Sequence, residues 1–155
     1  MDTTGFFALR EPLDLLEKLR YDYRRLEREP TDSYAAFDFF VTASHMHEWL
    51  QRSGVSWEKP TAPHTLAAYQ AAYHLCGEIG NGAKHFVMEH KELEGHEVRA
   101  GVFDPVVFDP RVFDVGSLVL HLNAADAAVF GMESITALQL AVTVLSYWDT
   151  CTALR

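Results

Sequence analysis

The sequence lacks the long apolar stretch that a membrane-spanning helix needs, because no window approaches about 18 uninterrupted apolar residues. The N-terminal stretch MDTTGFFALREP also lacks the basic start and the apolar run of a secretory signal peptide. Cysteine is scarce, since Cys76 and Cys151 are the only two and lie far apart. These absences predict a cytoplasmic protein that does not bind a membrane and keeps both thiols free.

Positive charge is in deficit, with 13 Lys and Arg residues against 22 Asp and Glu residues and a formal net charge of -9. This balance argues against bulk attraction to DNA, although a local basic patch can still bind a nucleic acid. The sequence also lacks a phosphate-binding glycine loop and a dinucleotide fingerprint, because its glycines do not follow a strand pattern. We therefore expect no bulk DNA binding and no cofactor.

Apolar residues, by contrast, are abundant, at 48% of the 155 residues, and aromatic residues make up 12%. A chain of this length and composition can build a real hydrophobic core, which excludes global disorder. We expect residues 1–155 to form a single helical domain.

Helical periodicity and helix-end signals predict four main helices, at about 12–29, 33–53, 63–91 and 132–153. Pro12 suits the first turn of the first helix, Asp32 or Ser33 can cap the second, and Gly54 can close it. The predicted core stripe of the last helix comprises Ile135, Leu138, Val142, Leu145 and Trp148. The predicted fold class is therefore mainly α, an antiparallel four-helix bundle.

An insertion at about 97–131, before the last helix, is predicted to hold a small β-hairpin and an irregular arm. The arm repeats the unit Val-Phe-Asp at Phe103, Phe108 and Phe113, with prolines that forbid a central strand. It either covers one end of the bundle as a long loop or reaches onto a partner subunit. The stretch SLVLHLNAADAAVFG predicts two short strands around an Asn-Ala-Ala-Asp turn.

The second and third helices carry the candidate chemistry. On the third, a polar stripe runs through His74, Glu78, Asn81, His85 and Glu89, and its simplest interpretation is a face in water. The second helix has large aromatic residues on both sides, so it is either buried twice or in contact with another chain. The latter interpretation, together with the arm, predicts a homodimer.

A cleft forms if the polar-aromatic side of the second helix lies beside the stripe of the third. The glycines at 77, 80 and 82, which each cost a helix about 1 kcal/mol, would then allow close approach of the two helices. The candidate catalytic residues of this cleft are His85, Lys84, Asn81 and His45, and the candidate binding residues are Asp38, Glu48, Glu78 and Trp49.

Phosphodiester cleavage would suit these side chains, because His85 can transfer protons near neutral pH and Lys84 can stabilise phosphate charge. Asn81 lies one turn before His85 and could orient its ring, although a surface Asn–His pair has the same spacing. No metal ligands are assigned: on a helix the rings of His45 and His47 point about 200° apart and cannot share an ion. A metal-dependent bundle enzyme stays open through the i, i+4 pairs His74/Glu78 and His85/Glu89.

The run CGEIGNGAKHF, on the third helix of a short bundle with a late insertion, resembles the HEPN superfamily. The stretches DFFVTA-H, from Asp38 to His45, and NG-KHF, from Asn81 to Phe86, also resemble a group of uncharacterised bacterial proteins. The HEPN resemblance implies an all-helical, commonly dimeric protein, often a metal-independent ribonuclease of toxin or defence systems. The motif of that family is an Arg, then a polar residue, and a His a few positions later.

The sequence departs from this motif, because Gly77 and Glu78 precede Asn81 and no Arg occurs between Leu66 and Glu97. Lys84 can replace the charge of an Arg but not its bidentate fork. The resemblance thus implies either a HEPN-like protein that binds or cleaves RNA or a nucleotide, or one that keeps only a dimeric interaction or scaffold role.

Overall fold

The computed structural model describes residues 7–55, 57–58, 62–85, 98–100 and 117–151. These residues form mainly helices, with a small antiparallel sheet between the third and the last. The elements are α1 (Pro12–Arg28), α2 (Ser33–Ser53), α3 (Pro63–His85), β1 (Val98–Ala100), β2 (Leu118–His121), α4 (Ala124–Phe130), β3 (Ser134–Thr136) and α5 (Ala137–Thr150). The predicted arm and the predicted helical residues 86–91 lie outside the described residues.

The ends of the first two helices follow their sequence signals. Pro12 occupies the first turn of α1. The Asp32 side chain accepts hydrogen bonds from the backbone N–H groups of Tyr34 and Ala35, at 2.9 and 3.1 Å, and so caps α2. Gly54 ends α2 in the left-handed region, at a φ of 69°. The predicted bounds of both helices are therefore confirmed to within a residue.

The small sheet is confirmed, but the second strand of the predicted hairpin is wrong. Residues Ala124–Phe130 form α4 because the Asn123 side chain accepts from the Asp126 N–H at 2.9 Å, which makes it a helix cap instead of a turn residue. Four alanines favour the helix, and Gly131 ends it at a φ of 70°. The true partner of β2 is β3, with Leu120 opposite Ile135, and β1 pairs with the other edge of β2.

The last helix begins later than predicted, at Ala137. Residues Ser134–Thr136 pair with β2, and Thr136 then caps α5 through a reciprocal capping box with Gln139. Its predicted core stripe is wrong at Val142, which is 44% exposed, whereas Leu145 and Trp148 are buried. Because α5 is apolar on most sides, its sequence does not show which side faces the core.

Helix α2 lies between α1 and α3 and runs antiparallel to both. Lys18 of α1 contacts Thr42 of α2, and Arg25 of α1 contacts Asp38 of α2. The later residue of α1 thus meets the earlier residue of α2, as in an antiparallel pair. The buried carboxylate of Asp22 accepts from Lys18 and from the Thr42 hydroxyl between these contacts. A buried acid with these partners is satisfied, so it anchors α1 against α2.

Helix α5 packs against α1, α2 and α3 and closes a common core. The predicted inner face of α2 is confirmed, because all six of its residues are buried: Ala36, Phe39, Phe40, Ala43, Met46 and Leu50. Within the part of the chain that the structure describes, no helix is long and apolar enough to cross a membrane.

The approach of α3 to α2 depends on Gly80. A Cβ atom added at this position would lie 3.1 Å from the Ser44 hydroxyl oxygen, closer than ordinary van der Waals contact. Nearby, the Tyr73 hydroxyl donates to the Ser44 carbonyl at 3.0 Å. At Gly77, by contrast, an added Cβ atom would meet no atom of a neighbouring element within 4 Å, so only one of these two glycines serves close packing.

Substitution at these two glycines tests this contact. We expect Gly80→Leu to lower the free energy of unfolding by about 1–3 kcal/mol, because the added carbons would press on Ser44. The matched control Gly77→Leu should be neutral or stabilising by up to about 1 kcal/mol, since leucine favours the helix. Urea unfolding followed by circular dichroism measures both, and equal effects would contradict the close approach.

Candidate functional site

The outer side of α2 forms an exposed strip, which we call the α2 ridge, made of Tyr34, Phe37, Val41, His45 and Glu48. The spacing of three and four residues keeps these positions on one side of the helix. The ridge lies between the α2 residues that contact α1 and those that contact α3. Tyr34 is 78% exposed and Phe37 is 45% exposed, so the ridge offers aromatic surface to solvent.

Two predicted site residues, His45 and Glu48, lie together on this ridge. The His45 Nδ1 atom is 3.7 Å from a Glu48 carboxylate oxygen, and the other oxygen of Glu48 is 2.7 Å from Arg52. Glu48 also faces α3, because its charge adds to burial and to Cys76 in raising the pKa of Tyr73. The structure thus directs the Glu48 carboxylate towards α3 and leaves the His45 imidazole exposed on the outer side of α2.

Asp38 belongs to the α1 border of the ridge, away from α3. One of its carboxylate oxygens accepts from Arg25 at 2.6 Å, and this bond is the main reason that the pKa of Arg25 is raised. Arg25 also lies 3.7 Å from Asp22. The Asp38 carboxylate is therefore engaged between α1 and α2, and the structure does not bring it to the α3 side of the ridge.

Trp49 and Glu78 also lie away from the predicted cleft. Trp49 is partly buried and packs against the hydrophobic core. Glu78 has a side chain only 12% exposed, 3.9 Å from His74. Because Glu78 lies about 160° around α3 from Gly80, it does not face α2. Of the four candidate binding residues, only Glu48 is thus exposed beside α3.

The candidate residues Asn81, Lys84 and His85 lie in the last turn and a half of α3, which stays helical through His85. Their side chains are outside the described part of the chain. Helical geometry places position 84 about 40° from Gly80, on the border with α2. Positions 81 and 85 are about 100° and 140° from Gly80, and position 85 shares the side of α3 that carries Glu78, away from α2.

A histidine that the sequence analysis did not select, His47, lies inside an aromatic cluster between α2, α3 and α5. Its Nε2 atom is 2.8 Å from the Tyr69 hydroxyl. Its ring centroid lies 4.4 Å from that of Tyr73 and 5.1 Å from that of Trp148. The divergence of His45 and His47 along a helix could have indicated this, because an exposed His45 requires His47 to face the other helices.

The two free thiols lie in this same buried region. Burial raises the pKa of Cys76 far above its ordinary value, as predicted for an inert core thiol, and it raises the pKa of Cys151 to about 11. Burial likewise raises the pKa of Tyr69 far above its ordinary value, so the hydroxyl beside His47 keeps its proton. This cluster therefore has a structural role and holds the three helices together.

Metal binding finds no candidate in the described ranges, where no group of three or more His, Cys, Asp or Glu residues could hold an ion. The rings of His45 and His47 diverge, since one is exposed and the other lies among aromatic rings.

Comparison with family models, curated proteins and solved structures found no match to this chain. The candidate site is therefore described from the positions of its own residues and not from a related protein.

The raised pKa of the Cys151 thiol predicts that the folded chain loses stability in alkaline solution. Between pH 9, the ordinary pKa, and about 11, the folded chain keeps the Cys151 proton that the unfolded chain loses. The free energy of unfolding should therefore fall with rising pH, by about 1.4 kcal/mol per pH unit for this thiol.

Urea unfolding at several pH values between 8 and 11 measures this slope, and Cys151→Ala should remove only the share of this thiol, about 1.4 kcal/mol per pH unit, because the pKa of Cys76 is raised too. The comparison variant Tyr69→Phe should leave the slope unchanged below about pH 10, because an unfolded tyrosine keeps its proton there. Identical slopes in wild type and Cys151→Ala would contradict the assignment.

Proposed function

We propose that this chain is a cytoplasmic HEPN-like homodimer that binds and cleaves RNA beside the α2 ridge, with α1, α2, α3 and α5 as its four-helix bundle. The observation that carries the proposal is the contact of Gly80 with Ser44. It brings the end of α3, which holds Asn81, Lys84 and His85, next to α2, with position 84 nearest to the contact and position 85 turned away from it.

The chemistry follows from the residue types at this end of α3. In metal-independent cleavage, a base takes the proton of the RNA 2′-hydroxyl, whose oxygen attacks the adjacent phosphorus. The bond from phosphorus to the 5′-oxygen breaks, and an acid protonates that oxygen. His85 is the candidate base, and an imidazole that has taken up that proton can return it to the leaving 5′-oxygen. Lys84 would stabilise the charge on the phosphate.

A ribonuclease assay on end-labelled single-stranded RNA, in the presence of a chelator, tests this proposal. We expect His85→Ala to reduce the cleavage rate by about 100-fold or more, the usual contribution of general acid–base catalysis. The matched control is His64→Ala, an exposed histidine in the first turn of α3. Absence of cleavage by the wild type, or equal rates in wild type and His85→Ala, would contradict the proposal.

A non-enzymatic interaction protein is the second candidate, and the exposed aromatic residues Tyr34 and Phe37 favour it. Large exposed apolar side chains that are neighbours on one helix are typical of contact surfaces. Both candidates propose a homodimer. Light scattering at micromolar concentration should therefore give twice the mass of the chain, and a monomer would contradict the dimeric assembly.

A further inference from the structure

We infer that Arg24 and Arg28 of α1 form a phosphate clamp for single-stranded RNA, and that Tyr34 and Phe37 on the α2 ridge stack with its bases. This inference rests on the proposed function, since it names the surface that would hold the RNA. It also provides the guanidinium groups that α3 lacks, because no Arg occurs between Leu66 and Glu97.

The topology brings the clamp and the α3 motif to the same end of the helices. Because α1 and α2 are antiparallel, the end of α1 lies beside the beginning of α2. Because α2 and α3 are antiparallel, with His47 opposite Tyr69 and Ser44 opposite Gly80, the end of α3 lies there too. Residues 24–28, 34–41 and 80–85 therefore share one end of the fold.

The charge pattern of the described residues and the position along α1 together select these two arginines, because Arg10 is also exposed and outside the ion pairs of the described residues but lies at the opposite end of α1. Several basic side chains are neutralised in ion pairs, namely Lys18, Arg20, Arg25 and Arg52. Arg24 and Arg28 are exposed and form no ion pair with any residue that the structure describes.

Their spacing makes them a pair, because residues four apart are neighbours on a helix surface. Two like charges there destabilise a helix. The helix dipole favours Arg28 in the last turn but gives less to Arg24 one turn earlier. A bound phosphate would relieve this repulsion, and Arg suits phosphate because of its planar donor fork.

The aromatic side chains complete the surface. Arg25 binds Asp38 at the border of the α2 ridge, and Arg28 lies about 60° around α1 from Arg25, so Arg28 is the member of the clamp nearer the ridge and Arg24 lies about 40° farther from it. Tyr34 and Phe37 are neighbours on that ridge and are both exposed. Unpaired cations beside exposed aromatic rings are the combination that binds single strands, through phosphate contacts and base stacking.

Fluorescence anisotropy with a labelled single-stranded RNA tests the clamp in the full-length His85→Ala background, which separates binding from cleavage. We expect Arg24→Gln with Arg28→Gln to raise the Kd at least 10-fold. The plot of log affinity against log salt should become less steep by about 1.4, for two lost phosphate contacts.

The matched control is Arg10→Gln with Arg52→Gln, which removes the same charge at the opposite ends of α1 and α2 and should change the Kd less than 2-fold. Tyr34→Ala should weaken binding without changing the salt dependence, because stacking releases no counterions. Thermal melting by circular dichroism confirms that each variant is folded.

The outcomes separate this inference from the proposed function. Equal weakening by both arginine pairs, or equal affinity for duplex RNA, would overturn the clamp while leaving cleavage by His85 intact. Binding that depends on Arg24 and Arg28 in a protein without ribonuclease activity would support the clamp and refute the nuclease. Absence of RNA binding in the parent protein would overturn both.

Discussion

The close contact between α2 and α3 at Gly80 is the constraint on which the candidate site depends. Only a residue without a Cβ fits against the Ser44 hydroxyl without displacing it. This contact directs the end of α3 along the α2 ridge, while the buried Asp22 network holds α1 on the other side of α2.

The opposite face of these helices explains why the outer face can stay exposed. The cluster around His47 joins α2, α3 and α5 through the Tyr69 hydrogen bond and the packed rings of Tyr73 and Trp148. Tyr34 and Phe37 of the α2 ridge are not part of this packing and stay exposed. Stability and the proposed function thus use different sides of α2.

Local signals made the ends of α1 and α2 predictable, because caps such as Asp32 act within a few residues of sequence. The inner face of α2 was predictable from the helical spacing of its apolar residues, which is also a local feature of the sequence. The partner of Asp38 was not, since sequence does not tell which neighbouring helix lies on which side. Asn123 was misread because the same residue type serves turns and helix caps.

The most direct test of the central claim is a backbone NMR titration of the labelled His85→Ala protein with single-stranded RNA. We expect the amide shifts to concentrate at the end of α1, along the α2 ridge and in the last turns of α3, from Gly80 to the substituted position 85. Shifts confined to the opposite end, near Arg10 and Arg52, would contradict it.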